Sequence, residues 1–274
     1  MSLESVLLIA FGGIVTGILG ALFGIGGGIF LIPYLVLLLG VPMHQAIATS
    51  IVAVIATSSA AASVNVGRGF TNLRLGVLLE TATTTGALLG GLTANVLSES
   101  VLSRLFGALL LFVAAVMVWS IRRPEEAATS TRSGDRGKLE TSYYDPAIGE
   151  EIRYRVVRVP AGLGASFFAG GISGLLGVGG GIIKVPAMNL LCGVPIKAAA
   201  ATSNFMIGVT ALASVFIYYA HGHVNPLVTG AGVVGVLGGS LLGTYLSGKL
   251  HGKLIAGLFA VIMILVAVKM LLRP

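Results

Sequence analysis

Long apolar stretches separated by short polar segments dominate the chain, and this pattern predicts membrane-spanning helices. About 20 helical residues, at ~1.5 Å each, cover a hydrocarbon core of ~30 Å. The first stretch, 3–23, has Glu4 as its only charge. Because it lacks a basic leader, we interpret it as a retained helix and not as a cleaved signal. Further apolar stretches of comparable length occupy 45–66, 75–97, 102–121, 161–176, 198–220, 227–247 and 254–272.

Two shorter apolar runs, 29–39 and 182–192, interrupt this series. Each has 11 residues and would reach only about 16 Å as a helix, roughly half of the bilayer. Non-helical backbone beside such half-helices has to be buried in protein or to line a cavity. We therefore predict an all-α polytopic membrane protein with roughly eight to ten crossings, four full helices and one short broken element in each half.

Charge is concentrated in one block near the middle of the chain. The chain is 55% hydrophobic and 10% charged, with a mean hydropathy of +0.99, whereas a soluble domain carries about a quarter charged residues. Of its 27 charged side chains, 15 lie in 122–158. We predict a solvated cytoplasmic linker at 122–159 between membrane repeats at 1–121 and 160–274; a small soluble domain is the alternative, but this block has too few apolar residues for a core. The net charge of +7 fits basic cytoplasmic loops better than a nucleic-acid partner.

The two membrane regions are self-similar at an offset of 153 residues. Gly-Ile-Gly-Gly-Gly-Ile begins at Gly24 and recurs as Gly-Val-Gly-Gly-Gly-Ile at Gly177, and Pro, Gly-Val-Pro and Ala-Thr-Ser follow in register in both copies. An ungapped comparison of 24–50 with 177–203 gives 15 identities in 27 positions. We interpret this as a duplication with Gly/Pro-broken short helices, a pattern expected of secondary transporters whose site lies between the repeats.

A glycine-rich break before a half-helix is suited to binding an anion. The break frees backbone N–H groups, and the helix N-terminus carries about half a positive charge. One break from each half would form a pseudo-symmetric cradle, with Gly26, Gly27, Gly28, Gly179, Gly180 and Gly181 as candidate substrate contacts. Tight helix packing is the alternative role for these glycines. A nucleotide-binding loop is disfavoured because no Gly-Lys-Ser/Thr follows.

The duplicated pattern resembles the TauE/SafE sulfite-exporter-like permeases, the sulfonate uptake permease family, over about 12–120 and 160–272. The resemblance implies a multi-pass transporter of the prokaryotic cytoplasmic membrane. Its substrates would be small anions, often containing sulfur, such as sulfite, sulfonates or sulfoacetate. The anion, the direction of transport and the oligomeric state stay open.

Lys184 is the leading candidate for binding the anion, and it stands where the first copy has Leu31. A cation within the membrane costs on the order of 3 kcal/mol, and a helix N-terminus disfavours it further, so a bound anion would offset both penalties. Snorkelling to an interface is the alternative. Six hydroxyl or amide side chains could add substrate contacts or could instead hydrogen-bond between helices: Thr49, Ser50, Asn189, Thr202, Ser203 and Asn204.

Glu80 is the candidate for carrying a coupling proton. It lies within the apolar run 75–97, and its counterpart in the second half is Val233. An intramembrane carboxyl is a functional candidate by default. The alternative is a carboxylate near the interface that pairs with Arg68 or Arg74.

The remaining chemistry-bearing side chains give weaker signals. The single cysteine, Cys192, is interpreted as a small core residue. His221 and His223 could hold a metal, but two ligands make a weak site; His44 and His251 also lie in or beside loops. We expect no metal, no cofactor and no nucleic-acid partner.

These observations favour a secondary anion transporter working by alternating access over two alternatives. A passive anion channel is close in kind, whereas an intramembrane enzyme would need a nucleophile and a base within reach of each other, and the chain offers no convincing pair. Counting loop Lys and Arg with the linker inside the cell favours inverted repeats with both termini outside over parallel repeats.

Overall fold

A computed structural model describes residues 3–23, 27–122, 141–145, 149–247 and 252–272. Gly26, His251 and linker residues 123–140 lie outside the described residues. The helices are α1 (Leu3–Phe23), α2 (Gly28–Pro33), α3 (Met43–Gly67), α4 (Leu73–Val96), α5 (Glu99–Arg122), α6 (Val159–Leu176), α7 (Gly181–Leu190), α8 (Ile196–Ala220), α9 (Pro226–Ser247) and α10 (Gly252–Leu271). The strands are β1 (Thr141–Asp145) and β2 (Glu150–Tyr154).

Most of these helices have the length and composition of membrane spans. Within the described residues, seven helices are long and apolar enough to cross a membrane: α1, α3, α4, α5, α6, α8 and α9. Helix α10 has 20 residues, whereas α2 and α7 are short. The predicted all-α polytopic membrane fold is confirmed.

The two short helices begin at glycines with left-handed backbone. Gly27, before α2, has φ 75°, and Gly180, before α7, has φ 70°, a conformation that strains any residue with a Cβ. Helix α2 reaches Pro33 and continues as a π-helical turn over Tyr34–Leu38, consistent with the backbone donor that proline lacks. Every residue of α2 is buried, so this broken element lies inside the helix bundle.

Glycines bring the long helices into backbone contact across the two halves. Helix α9 packs on α1 through Gly235 against Ala10, Gly239 against Ile14 and Gly243 against Ile18. Helix α6 packs on α4 through Gly170 against Thr83 and Gly174 against Ala87. In each interface the residue numbers of both contacting helices increase in the same direction, so the two helices of each pair are parallel. The contacts recur every four residues, as in the small-residue packing typical of membrane helices.

Helices α3 and α8 cross at the centre of the molecule. Shifting the bounds of α3 by 153 gives the bounds of α8. Gly208 of α8 lies against Ser58 of α3, and the backbone N–H of Asn72, just beyond the end of α3, donates to Thr202 near the start of α8 (3.0 Å). Along this interface the residue numbers increase in one helix and decrease in the other, so α3 and α8 run in opposite directions.

The sequence predicts a solvated linker, but the second part of the linker, which contains β1 and β2, docks on the helices. Strands β1 and β2 form an antiparallel hairpin whose alternation places Tyr143 and Tyr154 on one side, in a buried cluster with Leu75 and Cys192. Burial raises the pKa of Tyr154 to about 12. We call this end of the bundle, with the hairpin and loops 68–72 and 191–195, the hairpin face.

The other end of the bundle is formed by loops 39–42, 97–98 and 221–225, and we call it the distal face. Here His44 contacts the carbonyl oxygen of Ala94 (3.0 Å) and stacks on His223, with ring centroids 4.7 Å apart. Because α3 begins at the distal face and ends at the hairpin face, the two faces lie on opposite sides of the membrane.

Candidate functional site

Lys184 lies in the first turn of α7, immediately after the glycine break. Its backbone N–H donates to the carbonyl oxygen of Gly180 (3.0 Å), which anchors the start of the helix. The residue is 1% exposed, so its side chain does not extend to an interface as snorkelling would require. A primary ammonium group is therefore held inside the bundle.

Two side chains from other helices surround the ammonium group. Lys184 Nζ donates to Thr210 Oγ1 of α8 (2.8 Å) and lies 4.0 Å from Glu80 Oε2 of α4. Thr210 Oγ1 donates to Glu80 Oε1 (2.7 Å), and Thr84 Oγ1 donates to the same oxygen (3.0 Å). We call Lys184, Thr210 and Glu80 the polar triad; Glu80 thus pairs with Lys184 and not with Arg68 or Arg74.

One oxygen of this arrangement is left without a hydrogen bond. Glu80 Oε2 is buried and has no hydrogen-bond partner, although it is the carboxylate oxygen that faces Lys184. A buried ion pair stabilises a protein only when additional hydrogen bonds satisfy its remaining donors and acceptors. The triad therefore has spare hydrogen-bonding capacity, which a stability role alone does not require.

Glycines of the two breaks approach each other beside α3. Ser50 Oγ of α3 donates to the carbonyl oxygen of Gly177 (2.7 Å), and a Cβ at Gly28 would lie 3.2 Å from that same oxygen. Gly179 packs against Val54 of α3 and Ile207 of α8. Gly28 of the first break and Gly177 of the second therefore lie close together beside α3, and the anion cradle stays a prediction.

The remaining predicted contacts include two inter-helix links, one link from a helix to a loop and one unpaired hydroxyl. Thr49 hydrogen-bonds Thr229 (3.2 Å), and Thr202 accepts from the Asn72 backbone, so both join helices. Asn189 Nδ2 donates to the carbonyl oxygen of Val194 (2.8 Å) and ties the end of α7 to the following loop.

Ser203 is the unpaired hydroxyl of this set. Its side chain is 1% exposed and has no hydrogen-bond partner, and a Cβ at Gly181 would lie 3.5 Å from its oxygen. The start of α7 is thus bordered by a buried, unsatisfied hydroxyl. Asn204, the next residue, is only half-buried.

Thr210 is the site residue that sequence reasoning missed. Its signal was its position seven residues after Ser203, which places both on one face of α8. A threonine alone in an apolar helix is usually explained by a hydrogen bond to the preceding turn, and the carbonyl oxygen of Met206 is an alternative acceptor within reach of Thr210 Oγ1 (2.9 Å). Only the approach of Lys184 and Glu80 from other helices distinguishes it.

The triad joins the two halves, with Glu80 in the first and Lys184 and Thr210 in the second, and it is not repeated at the equivalent positions. At the offset of 153, Lys184 corresponds to Leu31, Thr210 to Thr57 and Glu80 to Val233. Leu31 is 0% exposed and Thr57 is buried as well. The equivalent positions on α2, α3 and α9 therefore carry two apolar residues and one hydroxyl.

Three histidines of the described chain, His44, His221 and His223, gather at the distal face. His44 and His221 both stack with His223, with the ring of His221 6.3 Å from that of His223. Burial lowers the pKa of His223, and positive charge on the two neighbouring rings lowers it further. In the described part of the chain, no group of three or more His, Cys, Asp or Glu side chains is arranged to hold a metal ion.

Comparison with known proteins identifies the family. The family model for the sulfite exporter TauE/SafE matches residues 9–270. The chain belongs to the TauE/SafE family. It is 28% identical over 267 residues to "Probable membrane transporter protein YunE" of Bacillus subtilis (strain 168), covering 94% of each chain.

Other relatives of this TauE/SafE chain have the same printed description. A "Probable membrane transporter protein" of Xylella fastidiosa (strain Temecula1 / ATCC 700964) is 29% identical over 277 residues, covering 100% of this chain and 97% of that one. "Probable membrane transporter protein MamO" of Magnetospirillum gryphiswaldense is 27% identical over 210 residues, which is 68% of this chain and 32% of MamO. No solved structure gives a significant match to the chain. Family and relatives support a transport role in a membrane.

Proposed function

We propose that the protein is a secondary transporter that moves small sulfur-containing anions, of the sulfite, sulfonate or sulfoacetate type, across the prokaryotic cytoplasmic membrane by alternating access. The observation that carries this proposal is the buried ammonium group of Lys184 at the start of a broken helix. An intramembrane cation of this kind is rare and marks ion pathways and substrate sites.

The surroundings of Lys184 are suited to an oxyanion. The N-terminus of α7 supplies positive potential, and Ser203 adds a buried hydroxyl without a partner. Sulfite and sulfonate groups present three oxygens on one centre, so they can accept from an ammonium, a hydroxyl and backbone N–H groups together. Gly27, Gly28, Gly179, Gly180 and Gly181 keep the backbone close enough for that contact, and Gly26 is proposed for the same role from its sequence position.

The proposed alternating access rests on an inverted duplication of 1–121 and 160–274. Helices α1 and α9 are equivalent to α6 and α4 at the 153 offset, and both mixed pairs are parallel. Equivalent helices α3 and α8 run in opposite directions. Inverted repeats of this kind permit two exchanged conformations around one site.

Anion binding and transport can be tested with a thermal-shift screen and one matched pair of variants. Purified protein is heated with sulfite, thiosulfate, sulfate, isethionate and sulfoacetate, and the anion that raises the unfolding temperature is then followed into proteoliposomes. Lys184→Met should weaken its binding about ten- to a hundredfold, because a charge-assisted contact is lost. Lys197→Met, at the exposed start of α8, is the control and should behave as wild type.

The same liposomes separate the alternatives. Accumulation against a concentration gradient supports a secondary transporter, whereas flux that only dissipates the gradient indicates a passive channel. Recovery of chemically altered solute would indicate an intramembrane enzyme. Equal affinity in wild type and Lys184→Met would overturn the proposed site.

Membrane orientation is tested by labelling single cysteines introduced in a Cys192→Ala background. Arg68, on the hairpin face, and Ser98, on the distal face, are both exposed. The positive-inside rule places the hairpin face in the cytoplasm, so a membrane-impermeant maleimide added outside intact cells should label Ser98→Cys and spare Arg68→Cys. The reverse result would place the linker outside.

A further inference from the structure

We propose that the polar triad couples the binding of one singly charged anion to the uptake of one proton at Glu80. The inference rests on the proposed function and adds the charge state of the substrate and the stoichiometry. Its structural basis is the single hydroxyl of Thr210, which lies within hydrogen-bond distance of Lys184, Glu80 and the carbonyl oxygen of Met206.

Charge balance inside the membrane sets the stoichiometry. Lys184 and Glu80 are both buried and 4.0 Å apart, so together they are neutral without a ligand. A monovalent oxyanion bound to Lys184 would leave two negative charges facing one cation. An unpaired buried charge is strongly unfavourable, and one proton bound to the carboxylate restores neutrality.

The structure contains an acceptor for that proton. Glu80 Oε2 is buried without a hydrogen bond, whereas Oε1 accepts from Thr210 and Thr84. A new O–H bond at Oε2 therefore breaks no existing hydrogen bond. The proton comes from the aqueous side that is open when the anion enters, and it leaves with the anion on the other side.

The hydroxyl of Thr210 links anion binding at Lys184 to protonation of Glu80, because it has one proton to donate and two possible acceptors. With Glu80 charged, the hydroxyl donates to Glu80 Oε1 (2.7 Å) and accepts from Lys184 Nζ (2.8 Å). With Glu80 protonated and less basic, the same hydroxyl can donate to the Met206 carbonyl oxygen (2.9 Å) instead. Thr210 then no longer links Lys184 to the carboxylate, and the ammonium group can bind the anion. Thr210 is a positioning residue in this scheme.

Other ionisable groups lie too far along their helices to share the role. Helix α6, which packs on α4, has no ionisable side chain, and α7 has only Lys184. Helix α8 carries Lys197, Tyr218 and Tyr219 close to its ends, with Tyr218 two turns beyond Thr210. The positions equivalent to Lys184 and Glu80 at the 153 offset are Leu31 and Val233, so one charged site, and one proton, is expected per chain.

The first experiment measures protons released to or taken from solution. Isethionate, a monovalent sulfonate, is added to the purified full-length chain in weakly buffered detergent solution with a pH indicator, and binding is measured in parallel. Wild type should take up about one proton per bound isethionate. Glu80→Gln should bind isethionate with no proton uptake, and Glu99→Gln, at a carboxyl that is 52% exposed, should match wild type.

The second experiment measures what drives transport in proteoliposomes. One proton per monovalent anion is electroneutral, so one pH unit should give about tenfold accumulation of isethionate at equilibrium, and a potassium diffusion potential should change nothing. Glu80→Gln should lose the pH-driven accumulation. Thr210→Val should keep both charges but respond to pH over a shifted range.

Each outcome bears on the inference separately from the proposed function. Binding of isethionate by wild type without proton uptake, or uptake that persists in Glu80→Gln, overturns the coupling while anion transport stands. Binding only of dianions such as thiosulfate or sulfoacetate overturns the monovalent substrate class. If none of the screened anions binds, the proposed function fails and the coupling with it. The wild-type measurements need no variant, so misfolding of Glu80→Gln would leave them decisive.

Discussion

Ser50 donates a hydrogen bond to the backbone carbonyl oxygen of Gly177 across 2.7 Å, and this bond joins α3 of the first half to the glycine break of the second. A carbonyl oxygen at the end of a helix has no partner within that helix. Inside a membrane it has to be satisfied by another side chain, because no water is available. Serine at this position therefore satisfies a carbonyl oxygen at the break in the other half of the chain.

The glycine interfaces lead to the first prediction, which compares two positions within α6. A Cβ at Gly170 would collide with the backbone of Thr83, whereas Gly164 has nothing within 4 Å. Gly170→Ala should lower the free energy of unfolding by about 1–3 kcal/mol through overpacking, or separate α6 from α4. Gly164→Ala should be neutral or slightly stabilising. Denaturant unfolding in detergent measures both; equal stability of the two variants would argue against close α4–α6 packing.

The hairpin leads to the second prediction, which compares neighbouring residues of β1. Tyr143 is 5% exposed and its ring lies 5.4 Å from that of Phe70, whereas Tyr144 points outward and is 58% exposed. Tyr143→Ala should weaken docking of the hairpin by on the order of 3 kcal/mol, and Tyr144→Ala should not. The readout is the rate of tryptic cleavage at Arg153 and Arg155. Equal rates in both variants would contradict docking through Tyr143.

The parts of the fold that depend on interactions within one segment could be predicted from the sequence, and those that depend on distant segments could not. The helices, the breaks at Gly27 and Gly180 and the overall membrane class follow from hydropathy and glycine patterns, which are local properties. The docked hairpin was not predicted, because Tyr143 and Tyr154 stand in a charged block and their partners are distant in sequence. The hydropathy of that block is dominated by its charged residues and therefore does not indicate the two buried tyrosines.

The site was predicted as separate residues and not as an arrangement. Lys184 and Glu80 were each recognisable because a charge in an apolar run is expensive. Their pairing was not recognisable, since 104 positions separate them in the sequence, and arginines 68 and 74 were nearer along the chain. Thr210 gave no signal of its own. Hydroxyl side chains in membrane helices bond their own preceding turn so often that position alone cannot distinguish a bridging one.

The histidines at the distal face lead to the third prediction. The pKa of His223 is lowered by burial and by its neighbours, so the unfolded chain binds a proton at His223 before the folded chain does as pH falls below about 6.5. That contribution to stability is present above this pH and is lost on acidification. Unfolding temperature should therefore fall less between pH 7.5 and pH 5 in His223→Gln than in wild type. Identical pH profiles would show that His223 does not titrate against folding.

The internal repeat provides the last prediction, because the positions equivalent to the two charged residues of the triad are already apolar. Lys184→Leu alone leaves Glu80 buried without its cation and should cost about 3–5 kcal/mol of unfolding free energy. Adding Glu80→Val copies Leu31 and Val233, and replacing a buried ion pair by apolar residues is often neutral or stabilising by about 1–4 kcal/mol. The double variant should therefore recover stability near wild type while anion binding stays lost. Denaturant unfolding and an isethionate binding assay on the same samples separate the two effects. A double variant as unstable as the single one would mean that the triad holds the fold together, and a double variant that still binds the anion would mean that the site lies elsewhere.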